Sequence, residues 1–109
     1  MNNLNDIVYA NKLLDTYGCL LTDSQYHICD LYYRFNLSIS EIAEEKGVSR
    51  AAVNDTLKKS SKILNNYEEK LHNIKRKEIV IKLLNNIENE KDETKQKSLI
   101  EGFIKEYLE

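Results

Sequence analysis

The sequence predicts an all-α protein built around a helix-turn-helix, and three observations carry that expectation. Its 109 residues include no proline and only three glycines, so little interrupts helix formation. Apolar residues recur three and four positions apart along most of the chain, the spacing of an amphipathic helix. Thr22 with Gln25, and Ser38 with Glu41, have the spacing of a capping box, each just ahead of an apolar stripe.

The first helix is expected over residues 6–17, with Ile7, Leu13, Leu14 and Tyr17 facing inward and Gly18 acting as its stop. Thr22 opens a second helix with Ile28, Leu31, Tyr32 and Phe35 as its buried stripe, ending near Phe35 or Asn36. The run L-S-I-S-E-I-A-E-E-K-G-V-S-R-A-A-V-N-D-T-L-K-K, residues 37–59, then carries the most information. Ser38 caps one helix with Ile39, Ile42 and Ala43 inside, Gly47 supplies the positive φ of a tight turn, Val48 points inward, and Ser49 caps the next helix. Ala43 is small where two helices cross, and Val53 and Leu57 return to the core one turn apart. A generic helical hairpin needs the glycine and the caps, but not Ala43, Gly47, Val48 and Val53 at these offsets.

Beyond the turn, Val53, Leu57, Leu64, Tyr67, Leu71 and Ile74 form a heptad-like seam broken at Ser60. The second helix of the motif is therefore expected to continue to Ile74, a length of about 38 Å at 1.5 Å per residue, its seam packed against the first helix, with a dimer interface as the alternative. Ile79, Val80, Leu83, Leu84 and Ile87 lie on a stripe turned by roughly half a rotation, so a bend is expected near residues 73–77. A polar stretch from Asn89 to Lys97 precedes a last helix with Leu99, Ile100, Phe103, Ile104, Tyr107 and Leu108. The reading is of a helix-turn-helix domain over residues 1–75 and a helical hairpin over 76–109. The wide apolar stripes of that hairpin suit a homodimer or partner surface.

Charge is unevenly spread. Residues 1–49 hold three basic and seven acidic side chains, residues 50–82 nine and four, and residues 83–109 four and seven. The net +5 of the middle third, in a chain of net −2, fits a focused polyanion-binding face. Cys19 and Cys29 lack zinc or disulfide spacing and read as reduced, largely buried thiols. His27 and His72 are isolated, and neither a phosphate-binding glycine loop nor a nucleophile with its base is present, so a binding protein without cofactor or metal is expected rather than an enzyme. The polar start, residues 1–6, has no leader character, and no apolar run reaches the length of a membrane span, so a cytoplasmic protein is expected.

In a helix-turn-helix the second helix enters the major groove by its first turns. The candidate contacts to double-stranded DNA are then Ser49, Arg50, Ala51, Asn54, Lys58, Lys59 and Lys62, with Ser38 reaching phosphate from the preceding helix. Arg50 suits a bidentate pair with guanine, Asn54 one with adenine, and the lysines the phosphates. Asp55 opposes this unless it accepts from cytosine or pairs with a neighbour. Lys75, Arg76 and Lys77 read as a solvated basic step, with RNA or anionic lipid as the other candidate ligands.

The runs L-L-T-D-S-Q at Leu20–Gln25, residues 37–55, and N-Y-E-E-K-L at Asn66–Leu71 resemble the YlxM family of small bacterial proteins. The resemblance covers roughly residues 4–75. That family's helix-turn-helix is similar to region 4 of sigma factors, and its gene lies beside those of the signal recognition particle. The resemblance implies a DNA-binding regulator acting in the signal recognition particle pathway of Gram-positive bacteria, and favours a dimer. Glu41, Ile42, Ala43, Val48, Ser49, Arg50, Ala52, Val53 and Asp55 agree with its pattern; Ala51 stands where the family tends to have Gln and Asn54 where it tends to have Tyr. The alternative is an adaptor that binds no DNA and docks on the particle's GTPase or its RNA.

Overall fold

The computed structural model describes residues 4–109, and six helices with no strand make up those residues. The leaderless reading of residues 1–6 thus falls in part outside the described residues. The chain divides into two compact units, the first ending at Ile74 and the second spanning Lys75–Glu109.

In the first unit α1 (Leu4–Tyr17) buries Leu13, Leu14 and Tyr17, while Ile7 is half-buried. The helix stops directly before Gly18, as expected, although the glycine is not left-handed and opens a short 3-10 turn, Gly18–Leu20. Its smallness serves packing instead. A Cβ there would sit 2.7 Å from Cε2 of Tyr26 and 3.1 Å from Cδ1 of Leu14.

Helix α2 (Asp23–Cys29) starts in a complete capping box, Gln25 N donating to Thr22 Oγ1 (3.2 Å) and Thr22 N to Gln25 Oε1 (3.1 Å). It runs on into a π-helical turn, Asp30–Arg34, closed by Phe35 N donating to the Asp30 carbonyl at 3.2 Å. Asn36, left-handed at φ 57°, then ends the segment, a conformation asparagine tolerates better than most side chains. The wider turn changes the register: Ile28 and Cys29 are buried, Leu31, Tyr32 and Tyr33 half-buried. Phe35, expected on the inner stripe, is 64% exposed, because the π turn carries it off the face that Ile28 occupies.

Helices α3 (Ile39–Lys46) and α4 (Arg50–Leu71) form the helix-turn-helix. The turn is a Schellman motif in which Val48 N donates to the Ala43 carbonyl (3.0 Å) and Gly47 N to the Glu44 carbonyl (3.3 Å), with Gly47 at φ 67°. Val48, expected inside, is 45% exposed; the backbone bond to Ala43 fixes the turn without burying that side chain. Helix α4 packs on α1, α2 and α3 through Val53, Leu57 and Leu64. Ser60 fills the gap in the seam and is fully buried, as is the Cys29 thiol it neighbours. Burial pushes that thiol up, with the serine hydroxyl acting the other way. Cys19, by contrast, is exposed, and both cysteines are free.

The expected helix to Ile74 ends three residues early, at a left-handed His72 (φ 54°). A buried carboxylate organises the break. Glu68 Oε1 accepts from the Tyr17 phenol at 2.5 Å and from Ile74 N at 3.0 Å, and the phenol oxygen accepts from Asn73 N at 3.2 Å. Burial, followed by the Glu68 carboxylate, pushes the Tyr17 phenol up. Leu71, counted in the seam, is exposed, and Ile74 is buried from beyond the break.

The second unit is made by α5 (Asn73–Asn89), from Lys75 on, and α6 (Glu93–Phe103), which ends in a π-helical turn, Ile104–Leu108. Asp92 caps α6 by accepting from Thr94 N at 2.8 Å. Gln96 Nε2 ties the connection by donating to the carbonyls of Ile87 (2.9 Å) and Glu90 (2.6 Å). Ile79, Leu83, Leu99 and Phe103 line one groove between the two helices. Val80, Ile81, Leu84, Ile100, Ile104, Tyr107 and Leu108 remain exposed. No helix among the described residues is long and apolar enough to cross a membrane.

Candidate nucleic-acid interface

The start of α4 is built by Ser49, whose hydroxyl accepts from Ala52 N at 3.0 Å, and no acidic side chain lies in its first turn. The positive end of the helix dipole is therefore uncompensated where Arg50 stands. Ser49, Arg50, Ala51, Asn54, Lys58, Lys59 and Lys62 are all exposed. Arg50, Asn54 and Lys58 follow one another at one-turn spacing along a single row, and Lys62 continues the basic line. Arg50, Lys58 and Lys62 form no ion pair with another described residue.

Asp55 is paired: its Oδ2 lies 3.1 Å from Lys59 Nζ. Both side chains are largely exposed, and such a pair one turn apart on a helix contributes only about 0.3–0.5 kcal/mol. The carboxylate is thus neutralised locally, at the cost of occupying Lys59. Ser38 is also exposed, but its hydroxyl accepts from Glu41 N at 3.1 Å while Ser38 N donates to Glu41 Oε1 at 3.0 Å. The backbone N–H of Ser38, then its hydroxyl, holds the Glu41 carboxyl below its usual range, so a negative charge already sits at the start of α3. Of the two helix starts, that of α4 is the one open to an anion.

The sequence model of the family UPF0122, described as "Putative helix-turn-helix protein, YlxM / p13 like", matches residues 4–103. The chain belongs to this family. It is 53% identical over 62 residues to UPF0122 proteins of Streptococcus gordonii and of two strains of Streptococcus pneumoniae. That stretch is 57% of this chain and 56% of each relative, so the match spans a little over half the length of those proteins.

One feature of this UPF0122 chain lay beyond sequence reasoning. Tyr32 and Tyr33, in the π turn, make an edge-to-face pair with ring centres 4.9 Å apart. They line a groove of about 310 Å³ with Ile39 of α3 and Asn54, Lys58 and Ser61 of α4. The stripe pattern places Tyr32 inside and is silent on Tyr33 and Ser61, because a π turn leaves no mark on helical periodicity.

Elsewhere in the first unit Arg34 donates to the Tyr26 hydroxyl (2.7 Å), to Asp30 (3.1 Å) and to Asp15. These contacts, the Tyr26 hydroxyl foremost, hold the guanidinium charged and tie α1 to α2. Arg34 is thereby committed to structure. His27 and Lys75, Arg76 and Lys77 are exposed. No cluster of His, Cys, Asp and Glu able to hold a metal ion occurs among the described residues.

Proposed function

We propose that this UPF0122 protein is a cytoplasmic regulator that binds double-stranded DNA through α4 and acts by binding rather than by catalysis. The observation that carries the reading is the exposed row of Arg50, Asn54 and Lys58, continued by Lys62, on a helix whose start lacks acidic side chains. Arg50 meets guanine and Asn54 adenine in the major groove, while Lys58 and Lys62 meet phosphates. Ser49 and Ala51 lie at the point of entry. Lys59 exchanges Asp55 for phosphate at little cost, and Ser38 has the weakest role, with Glu41 beside it. Residues 1–75 are the binding domain in this reading, and residues 76–109 make a homodimer through the exposed apolar side chains of α5 and α6.

Fluorescence anisotropy on genomic DNA fragments tests it. Replacing Arg50, Lys58 and Lys62 together with Ala is expected to weaken duplex binding at least tenfold without unfolding the protein. Equal affinity of the two proteins contradicts the reading.

The exposed apolar residues of the second unit favour one other reading, an adaptor that docks on the GTPase or the RNA of the signal recognition particle and leaves DNA alone. Co-purification with either component, combined with absent duplex binding, would select it.

A further inference from the structure

We infer that the groove between the π turn and α4 is a stacking subsite for one unpaired nucleobase. The inference rests on the nucleic-acid reading of α4 and extends it to the form of the ligand.

Three observations meet there. Two adjacent tyrosines are brought to the edge of α4 by a π-helical turn, a backbone feature that recurs at functional sites. Their rings line a concavity of about 310 Å³ together with the apolar Ile39 and Leu57. Its remaining wall is polar and basic: Asn54 offers an amide donor and acceptor, Ser61 a hydroxyl and Lys58 a cation. Aromatic rings beside a lysine are the combination that holds single-stranded nucleic acid, the base on the ring and the phosphate at the ammonium. Asn54 and Lys58 belong to the groove and to the outward row of α4 alike, so a strand lying along that row can place a bulged or terminal nucleotide in the groove. The base stacks on the tyrosines, its edge faces Asn54, and its phosphate faces Lys58. Such an unpaired nucleotide occurs in DNA and in RNA, and both offer the same ring and phosphate.

Anisotropy with four labelled ligands tests this: a perfect DNA duplex, the same duplex with a single-nucleotide bulge, and the two RNA equivalents. The bulged position carries 2-aminopurine, whose emission falls when it stacks. The wild type is expected to bind one bulged ligand about tenfold more tightly than its perfect counterpart, with quenching, in line with the worth of one stacked base. The DNA and RNA arms identify which nucleic acid supplies it. Tyr32→Leu with Tyr33→Leu is expected to remove the preference and the quenching while keeping perfect-duplex affinity. Tyr32→Phe with Tyr33→Phe keeps the rings and is expected to keep both, which separates stacking from any loss of fold in the leucine variant. Wild-type binding that ignores the bulge overturns the subsite alone. A wild type that binds none of the four overturns the nucleic-acid reading as well.

Discussion

At Gly18 the missing side chain makes room for the Tyr26 ring, which cannot swing aside freely because its hydroxyl is held by Arg34 at 2.7 Å. Gly18→Ala is expected to cost about 1–3 kcal/mol through overpacking, and Tyr26→Leu in the same chain to recover part of that loss. Additive losses in denaturant titrations of the two single variants and the double would contradict this. Ser60 has the opposite character, a buried hydroxyl whose polar neighbour among the described residues is the weakly bonding Cys29 thiol. Removing such a group relieves its desolvation, so Ser60→Ala is expected to leave stability unchanged or raise it by about 1 kcal/mol. A marked loss would show that the hydroxyl is satisfied by the Cys29 thiol. The Tyr17 phenol, pushed up by burial, binds its proton more tightly in the folded chain than in the unfolded one. Its contribution is then complete below about pH 10, the ordinary phenol value, and is lost as pH rises above it. Tyr17→Phe should flatten that alkaline decline in thermal melts, and an unchanged decline would assign it to other groups. The burial of Tyr17 and the helix end before Gly18 were legible from sequence, but not the contacts that these three residues make. Gly18 reads as a stop and Ser60 as a flaw in a seam, because what each one touches lies on another helix.

Local chemistry, by contrast, was legible. Thr22, Ser38, Ser49 and Gly47 act as expected, since a cap or a left-handed turn depends only on residues within one helical turn. Ser49→Ala is expected to cost about 1 kcal/mol and Gly47→Ala about 1–2, the latter from backbone conformation alone, since a Cβ there meets nothing within 4 Å. Differential scanning calorimetry checks both, and a neutral Gly47→Ala would contradict the left-handed turn. The apolar stripes were legible only where the helix stayed regular. Ile28, Val53, Leu57 and Leu64 are buried as the 3.6-residue period requires, whereas Phe35 lies past a π turn and Leu71 next to the break at His72. The buried Glu68 that organises this break looks from the sequence like one more solvated charge. The outward row of α4 follows from the helical period, but the pairing of Lys59 with Asp55 and the occupation of Ser38 by Glu41 are choices among rotamers that spacing does not settle.

For the molecule as a whole, charge and exposed apolar surface are the two properties that set its associations. Seven large apolar side chains lie exposed in the 35-residue second unit, which supports the proposed homodimer. Sedimentation equilibrium is expected to give a dimer for the wild type and a monomer for Leu84→Lys with Ile104→Lys, while the Schellman-turned first unit melts unchanged; a monomeric wild type would contradict it. The charge asymmetry was legible by counting, and in the proposed function the exposed cations of α4 are those that displace counterions from a polyanion. The most direct test is the dependence of duplex affinity on salt, measured for the wild type and for Arg50→Ala with Lys58→Ala and Lys62→Ala. Each phosphate contact adds about 0.9 to the slope of log K against log salt, so the triple variant, which loses the Lys58 and Lys62 contacts, is predicted to have a slope shallower by roughly 1.8. Coincident slopes would mean that Lys58 and Lys62 meet no phosphate, and that α4 is not the surface that binds nucleic acid.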